Sequence, residues 1–321
     1  ELFEQKGYTI VDMEQPADVY IINTCTVTNF GDKKSRQLIR KVKRQNPDSI
    51  VVVAGCYAQT APNEIMSIDG VNIVVGTRDR KQILNLVENY KKEQQAQNYV
   101  SEIMNEREFE DLSIRKLENR TRAYLKIQDG CSQFCSYCII PYARGPIRSR
   151  KPEDVLSEVI RLSQNGFQEV ILAGIHVASY GKDLKNITLL EMVKKVHDIK
   201  GIKRIRFSSI EPNIVTKEFV ETLSKLPKVC DHFHLSLQSG CDAVLGRMNR
   251  KYTAREYYEK VCILRKHFEH PAVTTDVIVG FPGESDQEFQ ETCSFVEKTG
   301  FYEMHIFKYS RRKGTPAAKM E

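Results

Sequence analysis

The sequence lacks a long apolar segment, a strong excess of charge of one sign, and a cysteine spacing typical of disulfides. No apolar run approaches the roughly 20 residues that cross a bilayer, which excludes a membrane-spanning helix. The 48 basic and 42 acidic side chains leave a net charge of +6, too small to establish a polyanionic partner by itself. Nine cysteines without disulfide-like spacing suit a reducing compartment, so we expect a cytoplasmic protein.

The 321 residues are enough for two domains with separate cores. Short, nearly continuous apolar runs at 19–23, 50–54 and 72–75 are typical of strands buried on both faces of a parallel sheet. Helical segments separate these runs, and residues 1–6 indicate the end of a helix that stops at Gly7. We therefore predict a doubly wound α/β domain over residues 1–92.

After residue 120, strands and helices alternate in six units. The predicted strands cover residues 122–129, 169–173, 204–208, 232–237, 273–279 and 303–307. A closed eight-unit barrel usually needs about 250 residues, more than this segment contains. We predict an incomplete six-unit βα barrel of the TIM type over residues 121–321. The segment 93–120 is polar and lacks apolar periodicity, which indicates a linker.

Three cysteines lie close together after the first predicted barrel strand: Cys131, Cys135 and Cys138. Thiolates on one loop suit a soft metal. Structural zinc normally takes four protein ligands, and no fourth cysteine or histidine follows at zinc spacing. A cubane iron–sulfur cluster held by three thiolates leaves one iron open for chemistry. Metal-free thiols and a partial zinc site are the alternatives.

This C-x-x-x-C-x-aromatic-C motif resembles the signature of the radical S-adenosylmethionine (SAM) enzymes. Its continuation over residues 139–150 is similar to that of the methylthiotransferases, and the resemblance extends over nearly the whole chain. It implies that a 4Fe-4S cluster binds SAM at its open iron and cleaves the sulfonium to release a deoxyadenosyl radical. It also implies an electron donor such as flavodoxin or ferredoxin.

Cys25 and Cys56 each lie directly beyond a predicted strand of the first domain. Because the carboxyl ends of parallel strands meet at one edge of a sheet, both should share that edge. Buried free cysteines are the common alternative. In the methylthiotransferases, three cysteines of this domain hold a second 4Fe-4S cluster, and two of those signatures, Asn-Thr-Cys25 and Ala-Gly-Cys56, are present. We expect the third to precede residue 1, so that this cluster lacks a ligand in the sequence as written.

The resemblance also implies contacts with the adenosyl and methionyl parts of SAM on the loops that follow the barrel strands. Tyr137 and Ile278 would lie against the adenine, where packing aromatic and apolar residues are the alternative. Gly174 would leave room for the methionyl amine, unless it only forms a turn. His176, on the same loop, would line the site.

Polar contacts with SAM are predicted on three later loops. Glu211 or Gln238 would hold the ribose hydroxyls, and Arg250 would pair with the carboxylate. The remaining cysteines lack metal spacing with one another and are interpreted as structural or incidental: Cys230, Cys241, Cys262 and Cys293.

A helix predicted over residues 32–45 carries seven basic side chains and one acidic side chain. Its narrow apolar stripe leaves the cations on a solvated face. Such a face favours a phosphate backbone as partner, and an ordinary solvated helix is the alternative.

The resemblance makes methylthio transfer the leading hypothesis, with one cluster generating the radical and the other presenting a methylated sulfur. Segments 23–28, 31–36, 143–145 and 309–316 look most like enzymes that modify carbon 2 of threonylcarbamoyladenosine in the tRNA anticodon stem-loop. Isopentenyladenosine and ribosomal-protein aspartate enzymes are the alternatives within the family, and a non-enzymatic iron–sulfur or zinc scaffold is the alternative outside it. Such enzymes usually end in an RNA-binding β-barrel, which we expect to be absent from this chain.

Overall fold

The computed structural model describes residues 2–111 and 121–321, so part of the predicted linker, residues 112–120, lies outside the described residues. The described residues form two compact units. The first contains residues 2–111 together with Cys138–Pro146, and the second contains residues 121–137 together with Ile147–Glu321. Within these ranges, no helix combines the length and the apolar character needed to cross a membrane.

The first unit is built on a four-stranded parallel sheet in the order β1-β2-β3-β4. Its strands are β1 (Val19–Thr24), β2 (Ile50–Gly55), β3 (Ile73–Val75) and β4 (Gln97–Tyr99). Its helices are α1 (Leu2–Gln5), α2 (Asn29–Gln45), α3 (Cys56–Thr60), α4 (Pro62–Met66), α5 (Ile83–Glu93) and α6 (Ile140–Arg144).

Alternate residues of β2 pack into two different cores. Val51 and Val53 join the core that contains Ile39 of α2, whereas Val52 joins the core that contains Leu86 of α5. A strand whose two faces are both covered needs a continuous apolar sequence. The predicted doubly wound sheet is therefore confirmed.

Two boundaries differ from the sequence prediction. β4 lies inside the predicted linker 93–120 and pairs with β3, because an edge strand needs backbone bonds on only one side and tolerates polar residues such as Gln97 and Asn98. The segment Cys138–Pro146, predicted as part of the second domain, belongs to the first unit. There the Thr77 hydroxyl donates to the Ala143 carbonyl at 2.7 Å.

The second unit contains six parallel strands and the predicted partial barrel. Its strands are β5 (Arg122–Asp129), β6 (Arg148–Ser149), β7 (Glu169–Gly174), β8 (Arg204–Phe207), β9 (His232–His234), β10 (Ala272–Val279) and β11 (Glu303–Lys308). They form the sheets β6-β5-β7-β8 and β9-β10-β11. Two isolated parallel bridges, Ile205 to Val229 and Ile210 to Leu235, link the chain around β8 with the chain around β9. Only β6, a two-residue strand antiparallel to β5, was not predicted.

Helices follow the strands of the second unit and cover one face of its sheets. They are α7 (Pro152–Gln164), α8 (Leu189–His197), α9 (Lys217–Leu223), α10 (Asp242–Arg247), α11 (Ala254–His267) and α12 (Asp286–Thr299). Their apolar residues, such as Val159 of α7 and Val261 of α11, join Val170 and Val277 of the strands in one large core. The carboxyl ends of the strands are thereby left to carry the functional loops.

Candidate functional site

The loop of three cysteines begins at the end of β5 and has a fixed backbone. Gly130 and Phe134 adopt positive φ angles of 72° and 48°, so the loop turns twice in the left-handed region. The Asn249 amide donates to the Phe134 carbonyl at 2.9 Å, and the Ser136 hydroxyl donates to the Arg247 carbonyl at 2.7 Å. The turn after α10 therefore holds the loop through contacts that do not involve a metal.

The donor set of this loop fits an iron–sulfur cluster. Cys135 is buried, and Arg250 Nη1 donates to its Sγ at 3.3 Å. Burial raises the pKa of the Cys131 thiol to about 11, so metal binding by this thiol would have to release a proton. Cys138, the third cysteine, is half-buried and begins the segment that belongs to the first unit. Three thiols with a fixed cation at one sulfur suit the anionic cluster.

Glu211 and Arg250, both predicted to contact SAM, are bonded to each other. Arg250 Nη2 donates to Glu211 Oε1 at 2.5 Å, and Arg250 Nε donates to the Tyr252 hydroxyl at 2.9 Å. Burial raises the pKa of the Glu211 carboxyl, although the guanidinium opposes this rise. The structure thus joins Glu211, Arg250 and Cys135 in one chain of contacts at the cysteine loop.

Gly174 lies against a buried glutamine that the sequence analysis missed. Gly174 pairs with Gln128 across β7 and β5, and a Cβ on Gly174 would lie 2.7 Å from Gln128 Oε1. The Gln128 amide donates to the Gly130 carbonyl at 2.8 Å, and its Oε1 accepts from the His176 backbone N–H at 2.7 Å. Gln128 therefore ties the cysteine loop to the loop after β7. A polar side chain near the carboxyl end of β5, directly before the cysteine loop, was the available signal.

A pocket of about 610 Å³ opens beside the cysteine loop, a size typical of small-molecule sites. Its polar lining includes Gln133, His176, Lys182, Glu211 and Asn213. His176 Nε2 is buried and makes no hydrogen bond with the described residues. It lies 3.9 Å from Glu211 Oε1. Burial lowers the pKa of His176 to about 4, so its ring is neutral at pH 7.

Tyr137 and Ile278, both predicted to lie against the adenine, pack against the same small apolar cluster. The Tyr137 and Phe281 rings meet edge to face with centroids 6.4 Å apart. Gln238 adopts a φ of 72°, its N–H donates to the Asp276 carbonyl, and its own carbonyl accepts from the Ile278 N–H, each at 2.8 Å. The backbone of Gln238 is thus fixed to β10 near Ile278.

In the first unit, Cys25 and Cys56 lie at the same sheet edge. Thr24 and Gly55 are register partners in β1 and β2, and each cysteine follows one of them. Gly55 has a φ of 103°, and a Cβ there would lie 2.5 Å from the Thr24 carbonyl oxygen, so only glycine allows this close approach. Cys25 is exposed and Cys56 is buried. Arg144 Nε donates to Cys56 Sγ at 3.1 Å.

The basic helix, α2, begins three residues before the predicted start because the Thr28 hydroxyl accepts from the Gly31 N–H and caps it. Five of its cations are exposed: Lys33, Lys34, Arg40, Lys41 and Arg44. Arg36 instead donates to the Tyr57 hydroxyl at 2.6 Å, and Lys43 donates to the Ser49 carbonyl at 3.0 Å. Arg36 and Lys43 therefore stabilise the fold.

Comparison with known proteins identifies the family. The radical SAM superfamily matches residues 125–296, and an uncharacterized protein family, UPF0004, matches residues 1–76. The chain is 50% identical over 322 residues to the threonylcarbamoyladenosine tRNA methylthiotransferase MtaB of Bacillus subtilis, covering 100% of this chain and 71% of that protein. The chain belongs to the radical SAM methylthiotransferase family.

Other radical SAM methylthiotransferases match over similar lengths. A tRNA-2-methylthio-N(6)-dimethylallyladenosine synthase of Finegoldia magna is 38% identical over 328 residues, covering 100% of this chain and 70% of that protein. Among solved structures, the radical SAM methyltransferase TsrM of Kitasatospora setae matches with a TM-score of 0.68 and 17% identity, covering 95% of this chain and 66% of that one. The structural similarity to TsrM supports the fold of this chain, including the partial barrel.

Membership of the radical SAM methylthiotransferases confirms that the chain is an enzyme and that a 4Fe-4S cluster and SAM are its cofactors. The three-cysteine motif, residues 131–138, lies within the matched radical SAM segment. Cys25 and Cys56 lie within the segment matched by the second family.

Proposed function

We propose that this methylthiotransferase adds a methylthio group to carbon 2 of threonylcarbamoyladenosine next to the anticodon of tRNA. The observation that carries the proposal is the 50% identity, over the whole chain, with an enzyme named for that nucleoside. Identity with a dimethylallyladenosine synthase is 38% over a similar length. The difference favours threonylcarbamoyladenosine over the isopentenyl-type substrate.

In this proposal, Cys131, Cys135 and Cys138 hold the 4Fe-4S cluster that binds SAM. When bound, the cluster and SAM supply the deoxyadenosyl radical that removes a hydrogen atom from the substrate. Hydrogen bonds of Asn249 and Ser136 hold the cysteine loop independently of the cluster. A loop held in this way would position the reacting groups, which is the share of a protein in cofactor chemistry.

The same proposal assigns the SAM contacts to residues around the cysteine loop. Tyr137 and Ile278 share an apolar cluster that suits an adenine ring. Glu211, Gln238 and Gly174 remain our candidates for the ribose and the methionyl amine. Arg250 is bonded to Glu211 and to Cys135, so we assign it to the cluster edge as well as to the SAM carboxylate.

We further propose that Cys25 and Cys56 are ligands of a second 4Fe-4S cluster that delivers the sulfur. Their position after two register-paired residues supports this assignment, because it puts both at one end of a rigid sheet. Arg144, beside Cys56 Sγ, would stabilise a thiolate there. The exposed cations of α2 would contact the tRNA backbone, and an external reductant such as flavodoxin or ferredoxin would supply electrons.

Nucleoside mass spectrometry tests the substrate. The protein expressed from its complete gene is loaded with clusters anaerobically and incubated with SAM, a reductant and one of two tRNAs. One tRNA carries threonylcarbamoyladenosine and the other carries isopentenyladenosine. We expect the methylthio derivative only from the first. Product only from the second tRNA would refute the assigned substrate while leaving the family intact.

A further inference from the structure

Two histidines and an aspartate meet on the barrel strands, apart from every residue assigned above. His234, Asp276 and His305 lie on β9, β10 and β11, and their ligand atoms all lie within 4.8 Å of one another. His234 Nε2 lies 3.2 Å from Asp276 Oδ2, and His305 Nδ1 lies 3.2 Å from Asp276 Oδ1. The carboxylate thus stands between two imidazoles.

These three side chains lie on the face of the sheet that the helices do not cover. Phe233, Val273 and Val277 join the core under the helices, and side chains alternate along a strand. His234 and Asp276 therefore face the other side. Ile278, which we assign to the adenine of SAM, lies two residues beyond Asp276 on the same face. The cluster belongs to the concave side on which barrel enzymes bind substrates.

The charge of the cluster favours a cation. With neutral imidazoles, the Asp276 carboxylate gives the group a net charge of −1. Among the described residues, the ion pairs of Asp276 are those with His234 and His305, and none involves a lysine or an arginine. This charge would repel an anionic ligand, whereas it would attract a divalent metal ion and offset half of its charge.

The donor types and spacing suit a divalent transition metal. Two imidazoles and one carboxylate form a recognised ligand set for zinc and for non-haem iron(II). Bonds of about 2.1 Å place neighbouring donors of a tetrahedral zinc ion roughly 3.4 Å apart. His234 Nε2 and His305 Nδ1 each lie 3.2 Å from a different oxygen of Asp276, and one ligand atom from each residue lies within 4.8 Å of the others. A small shift of these side chains would therefore bring three donors to the spacing that one ion needs.

The outer contacts also suit a metal. Thr274 Oγ1 lies 3.0 Å from His234 Nδ1, so it can accept a hydrogen bond from Nδ1–H, which leaves Nε2 as the metal donor. Thr274 is buried, which fixes the ring. The His305 side chain is 55% exposed and provides a route of entry.

From this geometry we propose that His234, Asp276 and His305 bind one divalent transition-metal ion, such as Zn²⁺ or Fe²⁺. Three protein ligands leave a coordination position open, as in catalytic rather than structural sites. That position would take a nitrogen or oxygen of a substrate in the barrel and polarise it. The inference does not depend on which nucleoside or protein the enzyme modifies.

Zinc binding to the cluster-loaded protein tests the inference. Anaerobic dialysis against buffered Zn²⁺, followed by metal analysis, should give one zinc per chain above the content of the His305→Ala variant. His305→Ala and Asp276→Asn should each weaken zinc binding by at least about 100-fold, because removal of an outer contact alone costs 10- to 100-fold. The Thr274→Val variant, which loses only an outer contact, should bind zinc about 10- to 100-fold more weakly than the wild type.

A histidine outside the cluster provides the matched control. His270 is 91% exposed, and His270→Ala should bind zinc like the wild type. Unchanged cluster iron and sulfide in every variant shows that folding is intact. Two results would overturn the inference: no zinc bound by the wild type, or zinc binding that His305→Ala and Asp276→Asn leave unchanged, since the ion would then be held elsewhere.

Discussion

At the scale of single residues, polar groups near the cysteine loop are buried and bonded to one another. Gln128 bonds to the loop at Gly130 and to the backbone of His176, and Arg250 bonds to Glu211 and Cys135. Buried polar groups with fixed partners resist rearrangement, because breaking any of these bonds leaves an unsatisfied group. The protein thus keeps the site in one geometry.

The neutral state of buried His176 predicts a pH-dependent stability. Its folded-state pKa of about 4, lowered by burial and then by Lys182 and Arg250, lies below the unfolded value of about 6.5. The contribution of neutral His176 is therefore present above pH 6.5 and is lost as the pH falls toward 4. Between about pH 7.5 and pH 5, the wild type should lose about 2 kcal/mol more unfolding free energy than His176→Gln does.

Anaerobic urea unfolding of the cluster-loaded proteins at these two pH values measures this difference. A His270→Gln variant should follow the wild type, because the His270 ring is exposed. The same pH dependence in the wild type and in His176→Gln would show that His176 does not titrate as its burial implies.

The sequence predicted the three cysteines of the loop because they lie close together along the chain. It did not predict the cluster of His234, Asp276 and His305, whose members come from three strands far apart in sequence. Nor did it predict that Arg250 is bonded to Glu211, since contact between distant loops depends on how the strands pack. Local spacing is visible in a sequence, and tertiary contacts are not.

At the scale of elements, apolar patterning predicted the buried parallel strands, and the polar edge strand β4 escaped it. In α2, composition predicted a basic face, and the structure distinguishes exposed cations from Arg36 and Lys43, which bond to other parts of the first unit. Lys33, Arg40 and Arg44 are exposed and are spaced seven and four residues apart, which puts them on one side of the helix. This exposed stripe is our proposed contact with tRNA phosphates.

Reversing Lys33 and Arg40 to glutamate should weaken tRNA binding and make it less dependent on salt. Removing one phosphate contact should flatten the slope of log affinity against log salt by roughly 0.7 to 0.9. Filter binding across a salt series measures both quantities. The double reversal of Arg255 and Lys266, exposed on α11, changes the charge equally and should have little effect. Equal effects of the two double variants would mean that α2 is only a solvated face.

At the scale of the whole molecule, the chain alternates between its two units. It leaves the first unit, enters the second through β5, returns to the first for Cys138–Pro146, and re-enters the second at Ile147. The sequence predicted two consecutive domains, because periodicity identifies elements but not a short return between cores. Cys138 thus shares a unit with Cys25 and Cys56. We infer a division of labour between the two sets of cysteines: Cys131, Cys135 and Cys138 serve radical formation, and Cys25 and Cys56 serve sulfur delivery.

The most direct test of this claim quantifies deoxyadenosine and the methylthio nucleoside in one anaerobic reaction with SAM and threonylcarbamoylated tRNA. The wild type and a control, Cys262→Ala, should form both products, since Cys262 is exposed on α11.

Changing Cys131, Cys135 and Cys138 to alanine should abolish both products, because the radical cluster would lose its ligands. Changing Cys25 and Cys56 to alanine should leave deoxyadenosine formation intact and abolish only the methylthio nucleoside. Undiminished deoxyadenosine from the triple variant, or full methylthiolation by the double variant, would contradict the account.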